Sequence, residues 1–253
     1  MISGFYAAGD AMSTYADRND IIANNLANVS TPGFKKESVY VEPFDVLFAR
    51  VTTPVGDEEG LVQPPLGALR TEAITVFTQG PLRNTGGTFD LAINGKGFFR
   101  IQAPEGTRYT RDGSFRLDAE GRLVTADGYP LLGDGSSPVA VNAAEGGDVV
   151  IAEDGTVSVG DTRSGRITLA DFEEPYPLRK EGRNLYATTS EDAVELTASS
   201  PIAQRSLEMS NVDVVEEMVG LITNYRDYEM AQKMARLQDD TLSDAIRTVG
   251  AAR

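Results

Sequence analysis

The chain has 253 residues, of which 38 are acidic and 23 basic, giving a formal charge of -15. It contains neither cysteine nor histidine, which excludes disulfides, thiolate or imidazole metal sites and every nucleophile system built on a histidine base. The carboxylate excess argues against nucleic acid, which needs Lys and Arg laid out along a surface, and the length is enough to bury a core in one or two domains.

The first ten residues, Met1-Ile2-Ser3-Gly4-Phe5-Tyr6-Ala7-Ala8-Gly9-Asp10, lack the basic start and continuous apolar stretch of a cleaved secretory signal. No run of eighteen apolar residues is present, so no helical membrane span is expected. Phe5, Ala8, Met12, Tyr15, Asn19, Ile22, Leu26 and Val29 alternate spacings of three and four. This predicts an amphipathic helix with a heptad seam. Gly4, Gly9 and four asparagines weaken its intrinsic propensity, so packing must supply its stability.

From Ile21 to Phe34 there is no charged residue, although 24% of the chain is charged. Asn25 lies beside the seam, whereas Asn24 and Asn28 share another face at i, i+4 spacing. Amides that hydrogen-bond neighbouring backbones fit this run better than a solvated face. Pro32 disfavours helix at Thr31 and, with Gly33, fits the centre of a type II turn.

Residues 37 to 69 hold Pro43, Pro54, Pro64, Pro65 and Asp57-Glu58-Glu59 and read as an extended connector. From 70 to 205 the pattern changes to short apolar runs punctuated by Asn94-Gly95, Glu105-Gly106, Asp112-Gly113, Glu120-Gly121, Asp127-Gly128, Asp134-Gly135 and Asp154-Gly155. Residues 89–93, 97–101 and 165–169 suit strands, and the whole region reads as a mainly β domain. Residues 206–253 form the last segment. Asp213 and Glu216 mark a helix start there. Val214, Met218, Leu221, Tyr225, Tyr228, Gln232, Ala235, Asp239, Leu242, Ile246 and Val249 predict a second heptad seam. The fold class is therefore α+β, with coiled-coil-like terminal helices flanking a mainly β domain. Residues 1–36 carry three basic and three acidic side chains, so the charge excess sits mostly in the middle.

Sites for small molecules are weakly supported. Asn94-Gly95-Lys96-Gly97 lacks the spacing of a phosphate loop and a following helix. The Asp-Gly pairs lack a ligand glutamate twelve residues along, so turn chemistry explains them better than calcium. Asp171, Glu173 and Glu174 form the densest acidic cluster beside an apolar run, with no sign of a paired-carboxylate cleft. No enzyme, cofactor, metal or small-molecule substrate is expected.

Four motifs together resemble the bacterial flagellar rod and hook family. They are Asn24-Asn25-Leu26-Ala27-Asn28 with Ser30-Thr31-Pro32-Gly33-Phe34; Leu91-Ala92-Ile93-Asn94-Gly95-Lys96-Gly97-Phe98-Phe99 with Tyr109-Thr110-Arg111-Asp112-Gly113-Ser114-Phe115; Ser210 to Val219; and Tyr225-Arg226-Asp227-Tyr228-Glu229. The resemblance implies terminal helices packed in an axial tube around an export channel, with the β domain outside. It also implies export through the flagellar type III apparatus without a cleaved signal, and a periplasmic destination in the basal body. The length favours a rod over a hook subunit, and the compact segment from Phe48 to Gly80 favours the proximal rod, with the distal rod as alternative. The expected partners are other rod subunits and further copies of this chain, with surrounding rings as additional candidates. The expected assembly contacts are Met12, Tyr15, Ile22, Asn24, Asn25, Leu26, Asn28, Met218, Leu221, Tyr225, Tyr228, Leu242 and Ile246. A secreted β-domain binding module dimerised by its helices is the alternative from another class.

Overall fold

The computed structural model describes residues 2–42, 70–141, 148–160, 162–182, 184–189 and 193–251, and the side chains of 2–6, 41–42, 70–72, 245–246 and 248–251 lie outside that description. The architecture is α+β, with an N-terminal helix, a mainly β middle and a C-terminal helix. Most of the expected connector, residues 43–69, falls outside the described residues. The chain divides into two compact units, one from Met1–Ala27, Glu37–Val76 and Asp213–Arg253, the other from Asn28–Lys36 and Phe77–Val212.

The first unit contains helix α1, Ile2–Ala27, and helix α2, Val214–Ala251. Strands β1, Glu37–Glu42, and β2, Arg70–Thr75, pair antiparallel from Glu37 opposite Thr75 to Glu42 opposite Arg70. The helices run antiparallel, because Asn25 meets Glu217 while Tyr15 and Asn19 meet Asn224. Asp213 starts α2 by accepting hydrogen bonds from the backbone N–H groups of Val215 and Glu216 at 2.8 and 3.1 Å, as an N-cap does. None of the described helices is long and apolar enough to cross a membrane.

The second unit is built around a six-stranded antiparallel sheet. Its order is Leu178–Lys180, Leu185–Thr188, Gly106–Thr110, Phe98–Ala103, Leu169–Asp171, Leu196–Ala198. Both faces are covered, and adjacent residues serve opposite cores because strand side chains alternate. Phe99 and Leu169 join the larger core with Leu91, Ile101, Leu131 and Val157. Phe98 and Ala170 join Tyr109, Phe172, Leu178 and Tyr186 on the other side. There Phe77 meets the Phe98 ring edge-on at 5.3 Å. Residues 165–169 do not form the single strand predicted. Thr162–Arg166 belongs to a three-stranded sheet, Leu169–Asp171 to the six-stranded one. Buried Ile167 marks the passage, and an apolar run alone cannot distinguish one strand from two.

Two short ribbons join the entry and exit of this unit. Leu82–Asn84 pairs with Ser206–Glu208 and Leu91–Ile93 with Ile202–Gln204. Ile202–Gln204 and Ser206–Glu208 are therefore strands, and helix begins only at Val214. Asn28–Lys36 belongs to this unit as well. Phe34 N–H donates to Thr31 O at 3.4 Å and Gly33 has φ +68°, the geometry of a type II turn. Gly33 N–H then donates to Glu208 O at 2.8 Å.

Candidate assembly surface on the terminal helices

The solvent-shielded positions among the described side chains of α2 are Val214, Glu217, Gly220, Leu221, Asn224, Asp227, Tyr228, Ala231, Ala235 and Gln238. This stripe overlaps the predicted seam at Val214, Leu221, Tyr228 and Ala235. Its phase differs at every second position, where Glu217 and Asn224 replace Met218 and Tyr225. Met218 and Tyr225 are 49% and 59% exposed, and Val215, Val219, Ile222, Met230, Met234 and Leu237 are exposed with them. At about 100° per residue these eight centre on the side of α2 opposite the shielded set. The helix thus has two usable faces, and the more polar one pairs with α1.

That pairing is held by side-chain amides. Asn25, 1% exposed, donates from Nδ2 to Glu37 O at 2.8 Å and to Glu217 Oε2 at 3.3 Å, and its Oδ1 accepts from Glu37 N–H at 3.0 Å. Asn224, also 1% exposed, donates to Tyr15 O and Asn19 Oδ1, each at 2.7 Å. Between them Gly220 faces Ile22, and a Cβ there would make ordinary contact at 3.8 Å from Ile22 Cδ1.

The remaining expected contacts divide among these environments. Ile22 is buried, Met12, Tyr15, Leu26, Leu221 and Tyr228 are half-buried, and Asn24 is exposed. Leu242 is 39% exposed, and the side chain of Ile246 lies outside those described. Asn28, half-buried in the second unit, accepts from Thr31 Oγ1 at 3.3 Å and helps close the turn after α1. The structure therefore brings Tyr15, Ile22, Asn25 and Leu221 into one helix pair and leaves Met218 and Tyr225 on its outer side.

The sequence reading missed Glu217 and Asn224, although a polar pair seven residues apart in an amphipathic helix is the signal that marks them. It also missed a charged cluster inside the β unit. Lys35 and Glu208 side chains have no solvent exposure and form an ion pair. Arg111 donates to Glu208 at 3.1 Å and to Gly95 O at 2.9 Å, Lys35 to Thr78 O at 2.8 Å, and Gly80 N–H to Glu208 at 2.9 Å. Burial pushes the Lys35 ammonium below its ordinary pKa, and the Glu208 carboxylate opposes that shift. Such a cluster is assembled by geometry across the fold, and no spacing in the chain announces it.

The acidic cluster is explained without catalysis. Glu173 and Glu174 line an open groove of about 470 Å³ with Pro175, Pro177, Val194 and Leu196, and Glu174 pairs with Lys96 at 2.8 Å in an exposed bridge. Asp112 and Asp154 accept from the backbone N–H two residues on, as turn aspartates do. Among the described residues no group of three or more acidic side chains could hold a metal ion.

The described residues thus form a β unit with a filled interior and a helix pair that keeps an apolar side outward. Three family models match along the chain: flagella basal body rod protein over residues 5–35, the flagellar hook protein FlgE/F/G D1 domain over 92–159, and the C-terminal region of flagellar basal body rod FlgEFG proteins over 203–248. The flagellar basal-body rod protein FlgF of Caulobacter vibrioides is 38% identical over 250 residues, covering 99% of each chain. FlgG of a Buchnera aphidicola strain is 34% identical over 96% of this chain and 98% of its own. FlgF of Rhizobium meliloti is 29% identical over the full length of both. The chain belongs to the flagellar basal-body rod protein family, whose members are structural proteins and not enzymes. This sets aside a secreted binding module.

Proposed function

We propose that this chain is a proximal rod subunit that stacks helically with related subunits and further copies of itself. The helices would form the inner tube around the export channel, packed coiled-coil fashion, with the β unit outside and the stack transmitting torque. The observation that carries this reading is the apolar outer side of α2. Eight large apolar side chains exposed on one side of a helix are unusual for a chain that acts alone. Covering each contributes up to roughly 1.5–3 kcal/mol. The near-neutral, charge-free stretch ending α1 supports the same reading, as does FlgF similarity over the full length. The distal rod remains the second reading, favoured by the FlgG similarity. Periplasmic placement, export without a cleaved signal and contact of the β unit with surrounding rings follow from the same proposal.

The test is replacement of the chromosomal gene by variants with a charge on the outer side, Met218→Lys with Ile222→Asp. Both residues are exposed, so the purified variant should keep its helical signal and unfolding midpoint while incorporation into basal bodies and swimming are lost. Normal incorporation of the charged α2 variant would remove the basis of the proposal.

A further inference from the structure

The unexpected feature of the helix pair is which side of α2 it uses. Hydrophobic burial alone favours turning Met218, Ile222 and Tyr225 toward α1, yet these stay exposed while Glu217 and Asn224 go inward. What distinguishes the observed arrangement is hydrogen bonding. Asn224 Nδ2 reaches a main-chain carbonyl and a side-chain oxygen of α1 within one helical turn, Tyr15 O and Asn19 Oδ1. Seven residues earlier, Glu217 Oε2 accepts from Asn25, whose amide already grips the backbone of Glu37. The two contacts flank the place where Gly220 faces Ile22. A polar contact of this kind is satisfied at one rotation and one register only, whereas apolar contact tolerates many.

We propose that Asn25, Glu217 and Asn224 are specificity-determining residues that select the face and register of α2 against α1 of the same chain. They work against the apolar side, which would otherwise compete for α1. By holding the polar side inward they keep the apolar side available to other chains. The selection concerns the chain's own helices, so it stands or falls independently of the rod reading.

Because the chain has no cysteine, the face in use can be read by paired cysteines in the purified full-length protein. Ile22→Cys with Gly220→Cys reports the observed face, and Ile22→Cys with Ile222→Cys reports the opposite one. Each pair is oxidised and the disulfide yield measured. With the polar residues intact, the 220 product should exceed the 222 product by about tenfold or more, as expected when several buried hydrogen bonds distinguish two states. Adding Glu217→Ala and Asn224→Ala removes the polar contacts without adding apolar area, and alanine favours helix. The ratio should then fall at least about fivefold through a rise in the 222 product, with helical circular dichroism retained. Leu221→Ala, which removes apolar packing from the same side, should lower total yield and leave the ratio unchanged. An unchanged ratio in the double alanine chain, an equal shift with Leu221→Ala, or no 220 product in the parent pair would each overturn the proposal.

Discussion

The side-chain amide of Asn25 treats the main chain of Glu37 as a neighbouring strand would, donating to its carbonyl at 2.8 Å and accepting from its N–H at 3.0 Å. An asparagine of α1 therefore anchors the first residue of β1. Both backbone groups of Glu37 find their partner in it, as half-buried polar groups require.

Asn25→Ala should leave those two groups and Glu217 short of partners. Each orphaned buried group costs about 1–3 kcal/mol, so loss of roughly 2–4 kcal/mol from the first unit is expected. Urea unfolding followed by helical circular dichroism would show an earlier transition, with aromatic signals of the β unit little changed.

Glu208 pairs with two buried cations, Lys35 and Arg111, and removing it leaves both without their carboxylate. Glu208→Ala should destabilise the β unit by about 3–5 kcal/mol, whereas replacing Lys35, Arg111 and Glu208 together by apolar residues of similar volume should recover most of that loss. Thermal unfolding of the two variants provides the comparison. Equal destabilisation by both would show that packing rather than charge compensation dominates.

Gly33 takes φ +68°, and a Cβ there would lie 2.3 Å from Asp112 N. Gly33→Ala therefore combines a left-handed backbone cost of about 1–2 kcal/mol with a collision against main chain that cannot swing aside. We expect a loss above about 2 kcal/mol in the β unit, seen as a lowered unfolding midpoint.

Glu181 receives hydrogen bonds from Arg108 at 2.7 Å and Arg179 at 3.0 Å, which hold its carboxyl below the ordinary value of 4.5. Its folded form binds the proton less readily than its unfolded form. The stabilisation is therefore complete above the unfolded pKa and is lost as pH falls through the lower folded one. Glu181→Gln should lower the urea midpoint at pH 7 and reduce the further drop between neutral and strongly acid solution. A variant with the parental acid limb would refute the assignment.

Much of this architecture was legible from local chemistry. Pro32-Gly33 marked the turn after α1 and Asp213 the start of α2, through backbone rules that act within four residues. The Asp-Gly pairs marked turns for the same reason. The period of the two helices came from side chains on one chain segment. The charge-free asparagine run pointed to amides facing protein, and Asn25 does so, within its own chain.

What local chemistry could not decide was phase. Both sides of α2 carry heptad-spaced residues, and the apolar choice of Met218 and Tyr225 is the natural one when only one helix is considered. The polar side goes inward because Asn25, Asn19 and the Tyr15 carbonyl, about two hundred residues away in sequence, meet Glu217 and the amide nitrogen of Asn224 there. The Lys35, Arg111 and Glu208 cluster has the same origin, since a buried charge is tolerated only where distant partners converge on it. The sequence by itself determined the two helices, the β character of the middle and the family resemblance. Only the tertiary structure decided which face meets which, because hydrogen-bond partners are set by three-dimensional proximity and not by periodicity.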